Sequence, residues 1–301
     1  MRGSGGARGG RAPSTPWSRL KPVELDPLEA MGLPSKGDNR LLDSKTQERY
    51  YTKIIERYMT FCSDAGERDE LLRRFASLNI SSTHDTSTGR PSFGDVKTQP
   101  PQPGNSKALS DVLSALRKLR EGIVGSKRTD DFAIQAYLFC IRLSVLVKHP
   151  DSYHPAILHL LRRIQPAHSM TTVELNEVVS YLVLDTACRR NNLREAFEIR
   201  HRYRLRDSKV DAVLDALAHD NYFEFNRLKH KVDGHRAKLL EHAEEGMRKH
   251  LLKCFGRTYL SVDLSFLEAC ADASWSRLTA DDGVGWELQG SKVVIRKVKA
   301  S

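Results

Sequence analysis

No run of about 18 apolar residues occurs anywhere in this 301-residue sequence, so nothing in it reads as a membrane-spanning helix. Cysteine is sparse and odd in number: Cys62, Cys140, Cys188, Cys254 and Cys270 are scattered, and no two have CxxC spacing. Four of the five sit among apolar helical residues, which favours reduced core thiols in a cytoplasmic or nuclear protein. Catalytic signatures are missing too: there is no Walker loop, no GxSxG and no HExxH. GVGWELQG at 283–290 fails the dinucleotide fingerprint, because Leu288 stands where the third glycine belongs. His149, His154 and His159 are five residues apart, so on a helix they point about 140° away from one another and share no metal. His235 and His242 share a face but stand about 10 Å apart along it. Adjacent acids such as Glu244/Glu245 and Asp281/Asp282 diverge and read as solvated faces or caps. Neither enzyme activity, cofactor nor metal is expected.

What is present is basic charge. Lys and Arg number 48 against 38 Asp and Glu, a formal net charge of +10, which biases partners towards polyanions or acidic protein surfaces. The first segment, MRGSGGARGGRAPSTPW, has arginines but no apolar core, so it resembles neither a secretory signal nor an amphipathic transit peptide. Residues 1–41 read as a disordered basic tail, either a flexible leader or an RNA-associated Arg-Gly segment.

Residues 42–80 read as a short helical pair, with Tyr51, Ile54, Ile55, Tyr58, Phe61 and Cys62 at helical spacing and ERDELLRRFASL after Gly66. The Tyr51/Tyr58/Phe61 stripe is expected to be a core face or a docking face. A Ser/Thr/Pro/Gly-rich linker is expected over 81–107, tethering that pair to the main body. From 108 to 235 helix follows helix. Leu109, Val112, Leu113, Leu116 and Leu119 form a stripe, and DFAIQAYLFCIRLSVLV (131–147) is apolar nearly all round. Pro150 and Pro155 bracket an expected turn, and Thr172 with Glu174 is expected to open the helix VELNEVVSYLVLDTACRR. Short turns (NN, RD, HDN, DG) predict antiparallel helical hairpins, without a fixed-period consensus. Over 236–301 the predicted order is long helix, strand, helix, helix and hairpin, the hairpin turning at Gln289-Gly290-Ser291. The fold expected is thus mostly α: a helical-hairpin, TPR-like stack capped by a winged helix.

Three stretches carry a resemblance to a known family: DALAHDNYFEFNRLKH (215–230), HRAKLLEHAEEGMRKHLLKCFGRTYLSVDLSFL and GWELQGSKVVI. They resemble the PCI-domain family, in particular the group joining the eighth COP9 signalosome subunit, a non-ATPase subunit of the proteasome lid, and the k subunit of translation initiation factor three. mRNA-export proteins built on the same domain are a looser match. The resemblance covers about residues 108–299, and the first 107 residues have no counterpart in the small family members. It implies a non-catalytic scaffold that packs against other PCI proteins through its winged helix, with Trp286, Leu288, Val293 and Ile295 in or beneath the interface.

Two basic features point instead to RNA or to an acidic protein. RRNNLREAFEIRHRYRLR (189–206) contains Arg189, Arg190, Arg194, Arg200, Arg202, Arg204 and Arg206, which could clamp phosphates beside His201 and Tyr203 or form a solvated face. The hairpin adds Lys292, Arg296, Lys297 and Lys299. The helix that would enter a DNA groove, SWSRLTADD, offers one arginine and ends in two aspartates, which reads against sequence-specific DNA binding. An RNA-binding adaptor is therefore the alternative function.

Overall fold

The computed structural model describes residues 26–63 and 103–296. The chain is mostly helical with one small three-stranded sheet. The helices are α1 (Ser44–Ser63), α2 (Pro103–Ser126), α3 (Asp131–Leu146), α4 (Pro150–His159), α5 (Thr172–Leu184), α6 (Leu193–Arg202), α7 (Ser208–Ala218), α8 (Tyr222–Lys229) and α9 (Gly234–Thr258). β1 (Ser261–Asp263), α10 (Leu264–Ala271), α11 (Trp275–Ala280), β2 (Glu287–Gln289) and β3 (Lys292–Val294) complete the order. α4 runs on through a π turn at Leu160–Ile164, and α5 through a second at Asp185–Arg189.

Consecutive helices pair: α1 with α2, α3 with α4, α5 with α6, and α7 with α8. The reason is in the turns. Asp130, Asn192, Asp207, Asn221 and Asp233 each accept a backbone N–H of the helix they precede, a cap worth about 0.5–2 kcal/mol. Helix ends are closed by a left-handed residue that is not glycine: Lys127, Lys148, Arg204 and Asp220 all have φ near +50°. In each case the following amide reaches back five residues, as Arg128 N–H does to the Ile123 carbonyl and Leu205 N–H to that of Arg200, tying off the free end.

α3 is the buried centre, with Ile134, Tyr137, Leu138, Ile141 and Val145 all enclosed. The stripe on α2 is buried as its spacing predicted. Two local readings are corrected. Pro150 and Pro155 bracket no turn: Pro150 starts α4, where its missing N–H costs nothing, and Pro155 sits inside the helix. The one bond Pro155 forfeits is to the Asp151 carbonyl, on the exposed first turn. The residue that caps α5 is Thr171 rather than Thr172, and it forms a reciprocal capping box with Glu174.

The boundaries at the front of the chain also change. Residues 26–41 are not part of a disordered tail, for Leu28 and Leu41 are buried in the common core and short 3-10 turns cover Pro34–Lys36 and Asn39–Leu42. α1 is built into the main body, not tethered to it. Tyr50, Ile54 and Phe61 are buried, and the Tyr51 ring meets Phe132 edge-on at 5.5 Å. Arg128 lies over the Phe132 ring and bonds Glu48, locking α1 to the start of α3. So the aromatic stripe of α1 is a core face. The second helix expected within 64–80, the linker up to residue 102, the first 25 residues and residues 297–301 lie outside the described residues.

α9 joins the two parts of the chain. It packs on α3, α5 with its π turn, and α8, then on α10. The sheet that follows is antiparallel in the order β1–β3–β2, with Val262 and Leu288 both opposite Val293. Gly290 supplies the positive φ of the hairpin turn.

Candidate functional site

The four hairpin residues expected at an interface separate into different roles. Val293 is wholly buried beneath the sheet, so it supports the surface and is not part of it. Trp286 and Ile295 are half-buried against the core, Trp286 lying over Gly256 of α9. Leu288 alone of the four is exposed, at 41%. β2 carries it on the edge of the sheet, where the strand's outer side pairs with no other described strand.

The structure adds three residues that sequence reading did not single out. Tyr259, Leu260 and Phe266 are 41%, 51% and 50% exposed. Tyr259 and Phe266 flank the buried Phe255 ring at 5.1 and 6.1 Å, and the Leu260 carbonyl accepts the Ile295 and Arg296 amides. Tyr259 and Phe266 share an apolar face over Phe255 at the junction of α9 and α10, with the exposed Leu260 next to it in sequence. The signal was present in RTYLSVDLSF, where Val262 takes the one buried position of the strand and Tyr259, Leu260 and Phe266 add more large apolar residues than the buried positions of this short stretch hold.

The module is anchored by polar contacts as well. Tyr222 of α8 donates to the Ala271 carbonyl at 2.7 Å. Arg248 of α9 bonds Asp282 at 2.8 Å, both side chains almost fully enclosed. This corrects the reading of Asp281/Asp282 as a solvated pair. Asp282 is a buried structural acid, whereas Asp281 stays exposed near Arg277.

The arginine run divides as well. Arg189 makes two bonds to the wholly buried Asp185, Arg190 pairs with Glu195, and Arg200 with Asp211. Those three are structural. Arg194, Arg202, Arg204 and Arg206 are exposed and make no ion pair with any described residue. Arg296 is exposed and donates to the Arg257 carbonyl, Lys292 is exposed on β3, and Lys297 and Lys299 lie outside the described residues.

Asp185 lies in the π turn after α5 and also accepts the Tyr153 hydroxyl at 2.6 Å and faces His154 Nδ1 at 3.2 Å. Burial alone would raise its pKa. The bonds from Arg189, His154 and Tyr153 outweigh that and hold the carboxyl well below the usual range. Beside this network is a cleft of about 400 Å³ between α4, α5 and α6, lined by His154, Arg162, Arg190, Arg202 and Tyr203 but also by Glu195 and Glu198. His154 is held on Asp185 while His159 stacks on Tyr137, so the two histidines serve separate places. Among the described residues no group of three or more His, Cys, Asp or Glu is placed to hold a metal ion, and no helix is long and apolar enough to cross a membrane. All five cysteines are free thiols, three of them buried.

No protein-family model matches this sequence, and no curated protein matches it either.

Proposed function

We propose that this protein is a non-catalytic assembly subunit of PCI type, a helical-hairpin stack ending in a winged helix that docks on other proteins of the same layout. The observation that supports the reading best is the terminal module itself. A long helix runs into strand, two short helices and a hairpin, with the first strand paired to the last. This order supports the winged-helix reading, in which α9 is the first helix and β2–β3 the wing. The apolar face of Tyr259 and Phe266, the exposed Leu260 and the β2 edge with Leu288, which pairs with no other described strand, offer what such docking uses: large apolar anchors and a strand able to accept another. Assemblies of the proteasome-lid, signalosome or initiation-factor kind are the proposed setting, in cytoplasm or nucleus.

A second reading has its own observation. Arg202, Arg204 and Arg206 alternate at and just after the end of α6 and make no ion pair with any described residue, so their charge is available to an RNA backbone. One experiment separates the two. The tagged protein is recovered from native extract with and without nuclease, at low and moderate salt, and bound proteins are identified. Partners of the same helical-stack layout that survive both treatments support the assembly subunit. Loss of every bound species on nuclease treatment overturns it in favour of RNA, where binding through several arginines weakens steeply with salt.

A further inference from the structure

A pocket far along the chain from the terminal module is left without a role by the assembly reading. It has a volume of about 630 Å³ and lies between residues 34–42, α2, α3 and the second half of α4. Its walls are mainly apolar, and two of the exposed large hydrophobic residues, Leu42 and Val124, line it. A volume of this size fits a drug-sized organic molecule.

Its polar groups divide sharply. At the rim, Glu121 accepts from both Ser35 and Arg117, a closed set. Deeper are Arg120, Tyr137 and His159, and none of these three side chains hydrogen-bonds a described residue. The Arg120 Nε is fully buried without an acceptor, and no acid of the described chain pairs with its guanidinium. A cation that is partly withdrawn from water without an anion is costly, and folds rarely leave one so. Tyr137 and His159 stack at 5.2 Å, fixing both rings. Burial, then Arg163 and Arg120, lower the His159 pKa, so near neutral pH the imidazole is uncharged and Arg120 supplies the positive charge.

We propose that this pocket binds a small organic carboxylate: an apolar body against Leu42 and Val124, its carboxylate on the Arg120 guanidinium with the Tyr137 hydroxyl as second donor. The acid is what the arginine lacks, and the apolar walls exclude a small hydrated anion as the preferred ligand.

Octanoate and octanol are matched probes, one apolar body with and without the charge, and 1-naphthoate tests a bulkier body. Binding to the full chain is read by titration calorimetry and by ligand-observed NMR. The expected result is saturable one-to-one binding of at least one carboxylate, with octanol weaker than octanoate by about ten-fold or more. Arg120→Gln should reduce carboxylate binding to the octanol level. Val124→Asp changes a rim side chain that is half exposed, so it leaves the fold intact; both probes lose an apolar contact, but the added carboxylate also repels octanoate, which should weaken far more than octanol. The proposal is overturned if neither carboxylate saturates, if octanol matches octanoate, or if Val124→Asp binds octanoate as the parent does.

Discussion

The same substitution, glycine to alanine, should have opposite effects at three helical positions. Alanine is favoured over glycine inside a helix by about 1 kcal/mol, so a glycine with open space beside it is a site for gain. Gly246 of α9 is such a site, for an added Cβ would meet nothing within 4 Å. Gly122 of α2 is the reverse. A Cβ there would lie 2.5 Å from the Leu41 carbonyl oxygen and 2.9 Å from the Leu41 Cβ, and neither atom can rotate away. Relief requires that the 38–43 segment lift from α2. That puts at risk the burial of Leu41, worth about 1.5–3 kcal/mol, and the bond from the buried Gln47 amide to the same carbonyl. Overpacking of this kind costs about 1–3 kcal/mol even when the fold adapts. After the helical gain is set against these losses, Gly122→Ala should destabilise by about 1–3 kcal/mol, or lower Tm by roughly 3–10 °C at about 2–4 °C per kcal/mol. Gly125→Ala should fall between the two, because its Cβ would meet only the end of the half-exposed Leu42 side chain, 2.7 Å away, which can swing aside. Thermal melts of the three variants, with limited proteolysis to detect release of residues 26–43, give the ranking. If all three raise Tm together, the N-terminal segment is not packed on α2 in the way described.

Three further outcomes follow from buried charge and exposed apolar surface. Asp185→Asn removes the acid shared by Arg189, Tyr153 and His154 and strands a half-buried arginine; a loss of about 3–5 kcal/mol in urea unfolding is expected, and a change under 1 kcal/mol would show that the network is dispensable. The His242 pKa is lowered from 6.5 to about 4 by burial and then by Lys148, so the unfolded chain takes up the proton first as pH falls. Stability from this group is therefore full above pH 6.5 and drains away between about 6.5 and 4, a slope that His242→Gln should reduce in urea midpoints measured across that window. Phe266→Ser, at a half-exposed position, should leave Tm within about 2 °C and yet abolish recovery of nuclease-resistant partners; unchanged recovery would remove this face from the proposed interface.

Helix identity was legible because the apolar stripes are strong and the caps are polar: Asn192, Asp207, Asn221 and Asp233 stand where the short turns were read. The helix ends were harder. Four of the six described left-handed residues that are not glycine, Lys127, Lys148, Arg204 and Asp220, close helices without announcing a stop as glycine does. The fate of residues 26–41 was hidden for another reason. Leu28 and Leu41 are isolated apolar residues in a polar stretch; Leu41 packs on Gly122 of α2, some eighty residues away in sequence, and the Leu28 carbonyl accepts from Lys118 of the same helix. No local pattern encodes such an approach. The charged sites were half legible: the arginine run was visible, but which members face inward was decided by Asp185, Glu195 and Asp211, each on its own helix turn.

The division drawn at residue 236 is where this matters for function. α9 begins near that boundary, but its first turns, through Leu239, Leu240 and Ala243, are buried with the helices before it, and its last turns, through Leu251, Leu252 and Phe255, carry the sheet. Arg248 stands between and holds Asp282 of the module out of water. A chain cut at Gly234 would therefore expose the apolar helix face of Leu239, Leu240 and Ala243. The proposed docking surface is fixed in orientation by the whole helical stack through this one helix, as a subunit that sets the relative placement of its neighbours requires. A winged helix hung on a flexible linker could bind the same partners but could not position them.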